Sequence, residues 1–185
     1  HFFFAVPRVW EKFEAALGAN LLSATGVKAK LTDWARRVEL QSATRSMATG
    51  QKVDGVRRRL ANKLVISKIK SAIGLDALYA AGSGAAPASR STLEFFASIG
   101  IIIHEGFGMT ETTGMATAQP FGAPRFGTVG QALPGVEIRI ADDGEIMLRG
   151  PNMVPGYLYM PEETASLYAE DGWMHTGDLG VRDDE

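Results

Sequence analysis

The stretch that decides the fold runs from Ala77 to Gly108 and reads ALYAAGSGAAPASRSTLEFFASIGIIIHEGFG. An apolar run at 77–81 ends in glycines, a helical segment follows over 89–98, and the β-branched run Ile101 to Ile103 meets a second glycine group at 106–108. Strand, glycine turn, helix, strand and glycine turn in this order predict a βαβ unit with parallel strands. Ligands bind beyond the carboxyl ends of such strands, where both predicted glycine turns fall.

Upstream of this unit the chain reads as helices. The periodicity predicts one helix over VPRVWEKFEAAL (6–17), a second from about Lys28 to Met47, and a third from about Val56 to Ile73 that ends at Gly74. On the third helix two neighbouring apolar rows are expected: Val56, Leu60 and Leu64 in one, and Val65, Ile69 and Ile73 in the other.

The third helix also carries a basic cluster, formed by Arg57, Arg58, Arg59, Lys63, Lys68 and Lys70. One interpretation is an ordinary solvated helix face. The other is attraction to an anionic membrane surface or to phosphate. Both stay open at this point.

Downstream the chain is β-rich. The runs 136–140 and 145–149 flank Asp142-Asp143-Gly144 and predict a hairpin, and 161–168 predicts a short helix. The expected fold is therefore α/β: a parallel-sheet lobe over residues 1–126, followed by a small β-rich, barrel-like lobe over residues 127–185.

Composition excludes several classes of function. The 185 residues carry a net charge of -2, which gives a nucleic-acid partner no electrostatic support. With no cysteine, disulfides, thiolate catalysis and cysteine zinc sites are all excluded, and the three histidines have no metal-ligand spacing. The sequence lacks GxSxG and a GK[ST] phosphate loop, and GxGxxG fails at both glycine groups.

The segment HEGFGMTETT, residues 104–113, is the richest in chemistry. Its glycines allow a flat ring to approach the backbone, Phe107 offers a stacking face, and Glu111 offers a hard oxygen ligand suited to Mg²⁺. The plainer interpretation is a strand-to-helix turn with Thr110 as the N-cap. In WMHTGDLG (173–180), Asp178 is a carboxylate in a predicted glycine turn, which suits either a ribose diol or an Asx-type turn.

Three ordered segments resemble motifs of the adenylate-forming (AMP-binding) superfamily, which includes acyl-CoA synthetases, firefly-type luciferases and peptide-synthetase adenylation domains. GFGMTE (106–111) resembles YGxTE, GEIMLRGPNMVPGY (144–157) resembles GE-x-x-x-x-G-x-x-x-x-GY, and HTGD (175–178) resembles TGD. VPRVWEKF, LANKLVISKIKSAIG and GSGAAP look like long-chain fatty acyl-CoA synthetases. EGFGMTETTG and YLYMPEETA look like their bubblegum-type branch.

This resemblance, which covers essentially the whole chain, implies roles for particular residues. Thr110 would touch phosphate, Glu111 would hold Mg²⁺, and these two would be the catalytic residues; Asp178 would bind the ribose hydroxyls. Phe107 stands where the family usually has tyrosine, so stacking is kept and a phenol is lost. The nucleotide-binding set that the resemblance implies is Gly84, Ala85, Ala86, Glu105, Gly106, Phe107, Gly108, Met109, Thr110 and Asp178.

The resemblance further implies part of the large N-terminal adenylation domain of a long-chain-fatty-acid–CoA ligase. Such an enzyme uses ATP, Mg²⁺, a fatty acid and coenzyme A, forms acyl-AMP and then acyl-CoA, and is expected in the cytoplasm, with peripheral membrane contact as a further expectation. The family's phosphate loop would precede residue 1, and its C-terminal domain would follow residue 185. These residues alone are therefore expected to be inactive. Alternatives are a different acyl acceptor, such as a carrier-protein thiol, and a non-catalytic nucleotide-binding fragment.

Overall fold

The computed structural model describes residues 1–183 and separates into two compact units. Unit 1 comprises residues 1–106 with 119–130, and unit 2 comprises residues 107–118 with the chain from Gln131 onward. The sequence prediction placed a single boundary after residue 126. In the structure the chain instead passes between the units more than once.

Unit 1 contains parallel strands and five α-helices. Its elements are β1 (Phe2–Ala5), α1 (Pro7–Leu22), α2 (Gly26–Thr49), α3 (Val56–Ala61), α4 (Ser67–Ala72), β2 (Ala80–Ser83), α5 (Arg90–Ser98) and the first half of β3 (Ile103–Met109). Strand β2 pairs in parallel with β1 on one side and β3 on the other, so that Ala81 lies opposite both Phe3 and Ile103. The predicted βαβ unit, β2–α5–β3, is therefore present.

Helix α5 shows why the chain turns where it does. The Ser89 hydroxyl accepts the Thr92 N–H at 3.1 Å and caps the N-terminus. At the other end Gly100 takes φ +73°, a left-handed conformation that favours glycine and closes the helix. Strand β1 was not predicted, although its three consecutive phenylalanines are typical of strands.

The predicted third helix is divided in the structure. Helix α3 passes through a π-helical turn, Asn62–Ile66, into α4, and the chain then reverses at Gly74. A π-turn adds a residue to the helical ring and rotates everything that follows. Val65 and Ile66, within the π-turn, are buried against α2, whereas the expected apolar row Val56, Leu60, Leu64 is exposed.

The core of unit 1 lies between the sheet and helices α1 and α5. Trp10 is fully buried, its ring meets Phe96 edge-on at 4.9 Å, and its indole Nε1 donates to the Gly82 carbonyl at 3.2 Å. Leu93, Ile99, Ile101 and Ile103 complete the buried cluster. This packing fixes strand β2, and hence the loop that leaves it at Gly84.

Unit 2 is mostly antiparallel. After the second half of β3 it contains a 3₁₀ turn (Thr110–Thr112), β4 (Gly114–Ala118), β5 (Gln131–Ala132), β6 (Glu137–Ile140), β7 (Glu145–Arg149), α6 (Pro161–Leu167) and β8 (Met174–Leu179). Strands β4 and β5 pair, and β6-β7-β8 form a three-stranded sheet whose β6–β7 hairpin is the predicted one. Its core contains Ala116, Leu148, Leu167 and Met174. No helix in residues 1–183 is long and apolar enough to cross a membrane.

Candidate active site

The predicted loop of unit 1 is shaped by a tight approach and an unusual backbone. A Cβ on Gly84 would lie 3.0 Å from the Phe4 ring and 3.4 Å from the Gly106 carbonyl oxygen. Ala85 takes φ +68°, which is uncommon for a residue with a Cβ, and such outliers concentrate at functional loops. Gly84 is buried, while Ala85 and Ala86 are exposed at the carboxyl end of β2, where the sequence predicted nucleotide contact.

Glu105 anchors this loop to strand β3. Its side chain is buried, its Oε1 accepts the Ala88 N–H at 3.2 Å, and within the described residues its Oε2 has no partner. Burial raises the pKa of the Glu105 carboxyl because the charged form loses solvation. Its contacts are those of a loop anchor, and its predicted role in nucleotide binding stays a prediction.

Gln119 organises the chain beyond Glu105 and was missed by sequence reasoning. Its Nε2 donates to the carbonyls of Arg125 at 2.5 Å and Thr128 at 2.7 Å, while its Oε1 accepts the Glu105 N–H at 3.3 Å. A glutamine between two loop segments has no sequence signal of its own, because the partners are backbone groups.

The GFG group, predicted as a turn, is extended strand. Strand β3 runs through residues 106–108 to Met109. A Cβ on Gly108 would lie 1.9 Å from the Gly114 carbonyl oxygen, so the glycine serves a close backbone approach. The Phe107 N–H donates to the Thr117 hydroxyl at 3.1 Å, and the ring packs against the core of unit 2. The turn prediction was wrong here because both uses of glycine look alike in sequence.

The predicted catalytic pair lies on the 3₁₀ turn that follows. Thr110 is exposed, and Glu111 is half-buried. The N-cap position is Met109, not Thr110, and the capping side chain is Thr112: its hydroxyl accepts the Met109 N–H at 2.9 Å and donates to the Gly114 carbonyl at 2.7 Å. Only one helical turn forms before β4, so the plainer prediction of a following helix was wrong. The turn instead displays Thr110 and Glu111 at the end of a strand.

Neighbouring segments hold this turn in place. The Glu111 carbonyl accepts the Val154 N–H at 2.8 Å, and Asn152 Nδ2 donates to the Thr112 carbonyl at 3.0 Å. The Glu111 carboxylate Oε1 accepts the Tyr157 hydroxyl at 2.5 Å. The segment 144–157 showed no obvious catalytic group in sequence, yet it makes most of the contacts to the turn.

Asp178 lies on a β-bulge of β8. Glu145 and Met147 are two positions apart on β7, whereas their partners on β8, Leu179 and His175, are four positions apart. The bulge is held at Gly177, which takes φ +71° and donates its N–H to Glu145 Oε1 at 2.8 Å. The Asp178 side chain is exposed. The predicted turn is therefore an irregular strand, and the carboxylate it presents is accessible.

Glu145 is the residue that organises the bulge. Its Oε2 lies 2.8 Å from His175 Nδ1 while its Oε1 binds Gly177. The hydrogen bond with His175, reinforced by the Gly177 N–H, lowers the pKa of the Glu145 carboxyl. Glu145 thus remains an ionised acceptor over a wide pH range.

A cleft of about 390 Å³ lies within unit 2. Met109 and Tyr157 line one part of it, and His175, Thr176 and Gly177 line another. The cleft is therefore lined by a predicted nucleotide-binding residue, by the tyrosine bound to Glu111, and by the residues immediately before Asp178. Apolar walls with a few convergent polar groups are typical of small-molecule sites.

The donor set on the 3₁₀ turn fits magnesium better than a transition metal. Within residues 1–183 no three carboxylate or imidazole side chains gather around one point. Glu111 has one carboxylate oxygen bonded to Tyr157 and the other without a partner in the same range. Mg²⁺ is commonly bound through one or two carboxylates together with substrate phosphates and water, so a single accessible carboxylate oxygen suits it.

Unit 1 is thus a parallel βαβ unit with a glycine loop at the carboxyl end of β2, the place where α/β proteins of this class bind their ligands. Residues 1–158 match the model of the AMP-binding enzyme family, and the chain belongs to that family.

Two relatives show which members of this family the chain is similar to. The chain is 42% identical over 95% of its length to fadD11 of Mycobacterium tuberculosis, whose name assigns it provisionally to the fatty-acid–CoA ligases. It is 39% identical over 98% of its length to the long-chain-fatty-acid–CoA ligase ACSBG2 of Gallus gallus. The chain spans only 31% and 24% of the length of these relatives.

Solved structures agree on the fold. A malonyl-CoA ligase in a ternary product complex with methylmalonyl-CoA and AMP superposes with a TM-score of 0.62, at 28% identity, over 99% of this chain and 31% of that one. The O-succinylbenzoate coenzyme A synthetase of Bacillus subtilis, in complex with ATP and a magnesium ion, gives a TM-score of 0.53 at 28% identity over 59% of this chain and 25% of its own.

Proposed function

We propose that the full-length protein is an ATP-dependent long-chain-fatty-acid–CoA ligase. It joins a fatty acid to AMP with release of pyrophosphate, and the thiol of coenzyme A then displaces AMP. The observation that carries this proposal is the Glu111 carboxylate, displayed on a one-turn helix at the end of β3 and fixed by Tyr157. Identity to enzymes named fatty-acid–CoA ligases supports the choice of substrate.

Each residue then has a role that its surroundings allow. Glu111 would hold Mg²⁺, which offsets negative charge as it develops on the phosphates. Thr110, exposed on the same turn, offers its hydroxyl and N–H to a phosphate oxygen. Asp178, exposed on the bulge, accepts both hydroxyls of a ribose diol through charge-assisted hydrogen bonds. The loop at 84–86 offers a backbone surface to a flat ring.

The test is ATP–pyrophosphate exchange by the full-length protein with and without a long-chain fatty acid. We expect exchange that depends on the fatty acid and on Mg²⁺, and acyl-CoA formation once coenzyme A is added. Exchange without acyl-CoA formation would identify another acceptor, such as a carrier-protein thiol. Nucleotide binding without any exchange would make the protein a non-catalytic binder and overturn the proposal.

A second proposal concerns helix α3 of unit 1, which would bind an anionic membrane surface. Val56 and Leu60 are 82% and 47% exposed on a helix that also carries Arg57, and Lys63 follows in the π-turn. Apolar residues beside basic ones suit the interface of a membrane that contains anionic lipids. The location that goes with this proposal is the cytoplasm, at the surface of membranes.

Vesicle sedimentation tests this second proposal. The full-length protein should sediment with phosphatidylserine-containing vesicles, and less with phosphatidylcholine alone. A Val56→Ser, Leu60→Ser variant should lose most of that binding. Equal behaviour of the variant and the unmodified protein would mean that another part of the protein covers this row or that it is simply solvated.

A further inference from the structure

Tyr157 closes the segment GEIMLRGPNMVPGY, whose sequence offers no obvious catalytic group. In the structure its phenol donates a 2.5 Å hydrogen bond to Glu111 Oε1, across 46 residues of chain. We propose that Tyr157 is a positioning residue: it fixes one oxygen of the Glu111 carboxylate and leaves the other directed to a divalent cation. This inference rests on the proposed function and adds a residue and a role to it.

The backbone around Glu111 is fixed from the same segment that carries Tyr157. Val154 donates its N–H to the Glu111 carbonyl at 2.8 Å, and the Tyr168 hydroxyl in turn donates to the Val154 carbonyl. Asn152 adds a bond to the Thr112 carbonyl at 3.0 Å. These bonds hold the backbone of the turn beside the backbone of the segment, at a separation that the phenol of Tyr157 spans to reach Glu111.

Tyr157 is itself held in place. Its N–H donates to the Thr164 hydroxyl of α6 at 2.8 Å. Gly156 takes φ +151°, and a Cβ there would lie 2.3 Å from Thr164 Cγ2. Only glycine lets the chain pass Thr164 this closely, so the glycine and the tyrosine of this motif serve one purpose: the glycine brings the backbone in, and the tyrosine reaches Glu111.

The hydrogen bond also gives the two oxygens of the Glu111 carboxylate different roles. Oε1 is occupied by the phenol, and Oε2 has no partner within residues 1–183. The phenol has a single hydrogen to donate, and it is directed to Oε1. Hydrogen bonds from neighbouring groups orient metal-ligating carboxylates, and their loss typically lowers metal affinity about 10–100-fold.

The test compares Tyr157→Phe with Tyr159→Phe in the full-length protein. Tyr159 is 93% exposed, so its variant controls for loss of a phenol alone. Two quantities are measured at saturating ATP: fatty-acid-dependent pyrophosphate release against free Mg²⁺, and, without fatty acid, the binding of Mn²⁺ followed by its electron paramagnetic resonance signal. Tyr157→Phe should weaken Mn²⁺ binding by about the same factor as it shifts the Mg²⁺ dependence. We expect Tyr157→Phe to raise the Mg²⁺ concentration for half-maximal rate about tenfold or more. Tyr159→Phe should match the unmodified enzyme.

A double variant separates positioning from a general structural role. If Tyr157 acts through Glu111, adding Tyr157→Phe to Glu111→Gln should cause no further loss, whereas independent effects would add. An unchanged Mg²⁺ dependence in Tyr157→Phe, or additive losses, would overturn the inference while leaving the ligase proposal intact. An unmodified enzyme that shows no fatty-acid-dependent exchange would instead defeat the proposed function.

Discussion

Glu105 and Glu111 are six residues apart in sequence and have opposite environments. Glu105, in unit 1, is buried on β3, accepts a backbone N–H from the loop after β2, and has a raised pKa. Glu111, in unit 2, is half-buried, accepts a phenol hydrogen bond, and keeps one oxygen without a partner in the described residues. The first resembles a structural anchor and the second a prepared ligand. Accessibility and hydrogen bonding, rather than residue type, separate the two roles.

The largest expected effect is on Glu111. In the full-length protein, Glu111→Gln should lower fatty-acid-dependent pyrophosphate release by about 10²–10³-fold, because Mg²⁺ loses a charged ligand and no longer offsets the negative charge that develops on the phosphates. ATP affinity should change little, since the side chain keeps its shape. Glu162→Gln, at an exposed position on α6, is the matched control. Equal rates for the two variants would make Glu111 an ordinary turn residue.

The second effect concerns the other accessible carboxylate, Asp178. Asp178→Ala should weaken ATP binding to the full-length protein by about 1.5–3 kcal/mol, measured by calorimetric titration, because the ribose hydroxyls lose a charged acceptor. Asp142→Ala, in the exposed hairpin turn of the same unit, removes the same charge and should leave the affinity unchanged. Unaltered binding by Asp178→Ala would contradict the ribose assignment.

The third prediction compares glycines near the two glutamates. Gly108→Ala would put a Cβ 1.9 Å from a backbone oxygen, whereas at Gly84 the nearest atom, at 3.0 Å, is a ring edge of the half-exposed Phe4. The Phe4 ring can rotate away from an added Cβ, whereas the backbone of a paired strand cannot move aside. Gly108→Ala should therefore cost about 1–3 kcal/mol of stability, and Gly84→Ala less than about 1. Denaturation of the two variants measures the difference, and a larger loss at Gly84 would contradict it.

The smallest effect is expected at Glu105. Burial raises its pKa above that in the unfolded chain, so the folded state holds the proton more tightly. This contribution to stability is full below the unfolded pKa and is lost as the pH rises through the folded pKa. Glu105→Gln keeps an acceptor for Ala88 and removes the titration. Its stability relative to the unmodified protein should rise with pH, by under about 1 kcal/mol at pH 7. A pH-independent difference in unfolding midpoint would argue against the buried charge.

The sequence predicted those elements whose signals lie in residues close together in the chain. Helices α1, α2 and α5 and the β6–β7 hairpin lie close to their predicted positions, because helical and strand periodicities and the Asp142-Asp143-Gly144 turn are local signals. The π-turn and the short β4–β5 pair had weak or no local signals, and the phenylalanines of strand β1 gave a signal that the sequence prediction did not use. Each depends on what the segment packs against.

The sequence by itself determined the class of the protein, since ordered glycine, threonine and carboxylate motifs at fixed spacing identify the residue types that nucleotide and Mg²⁺ chemistry needs. Only the tertiary structure decided how those residues are held. It replaced two predicted turns with an extended strand and a bulge, and it paired Tyr157 with Glu111. The physical reason is range: propensity acts between neighbours in the chain, whereas a hydrogen bond between residues 46 positions apart exists only once packing has brought them together.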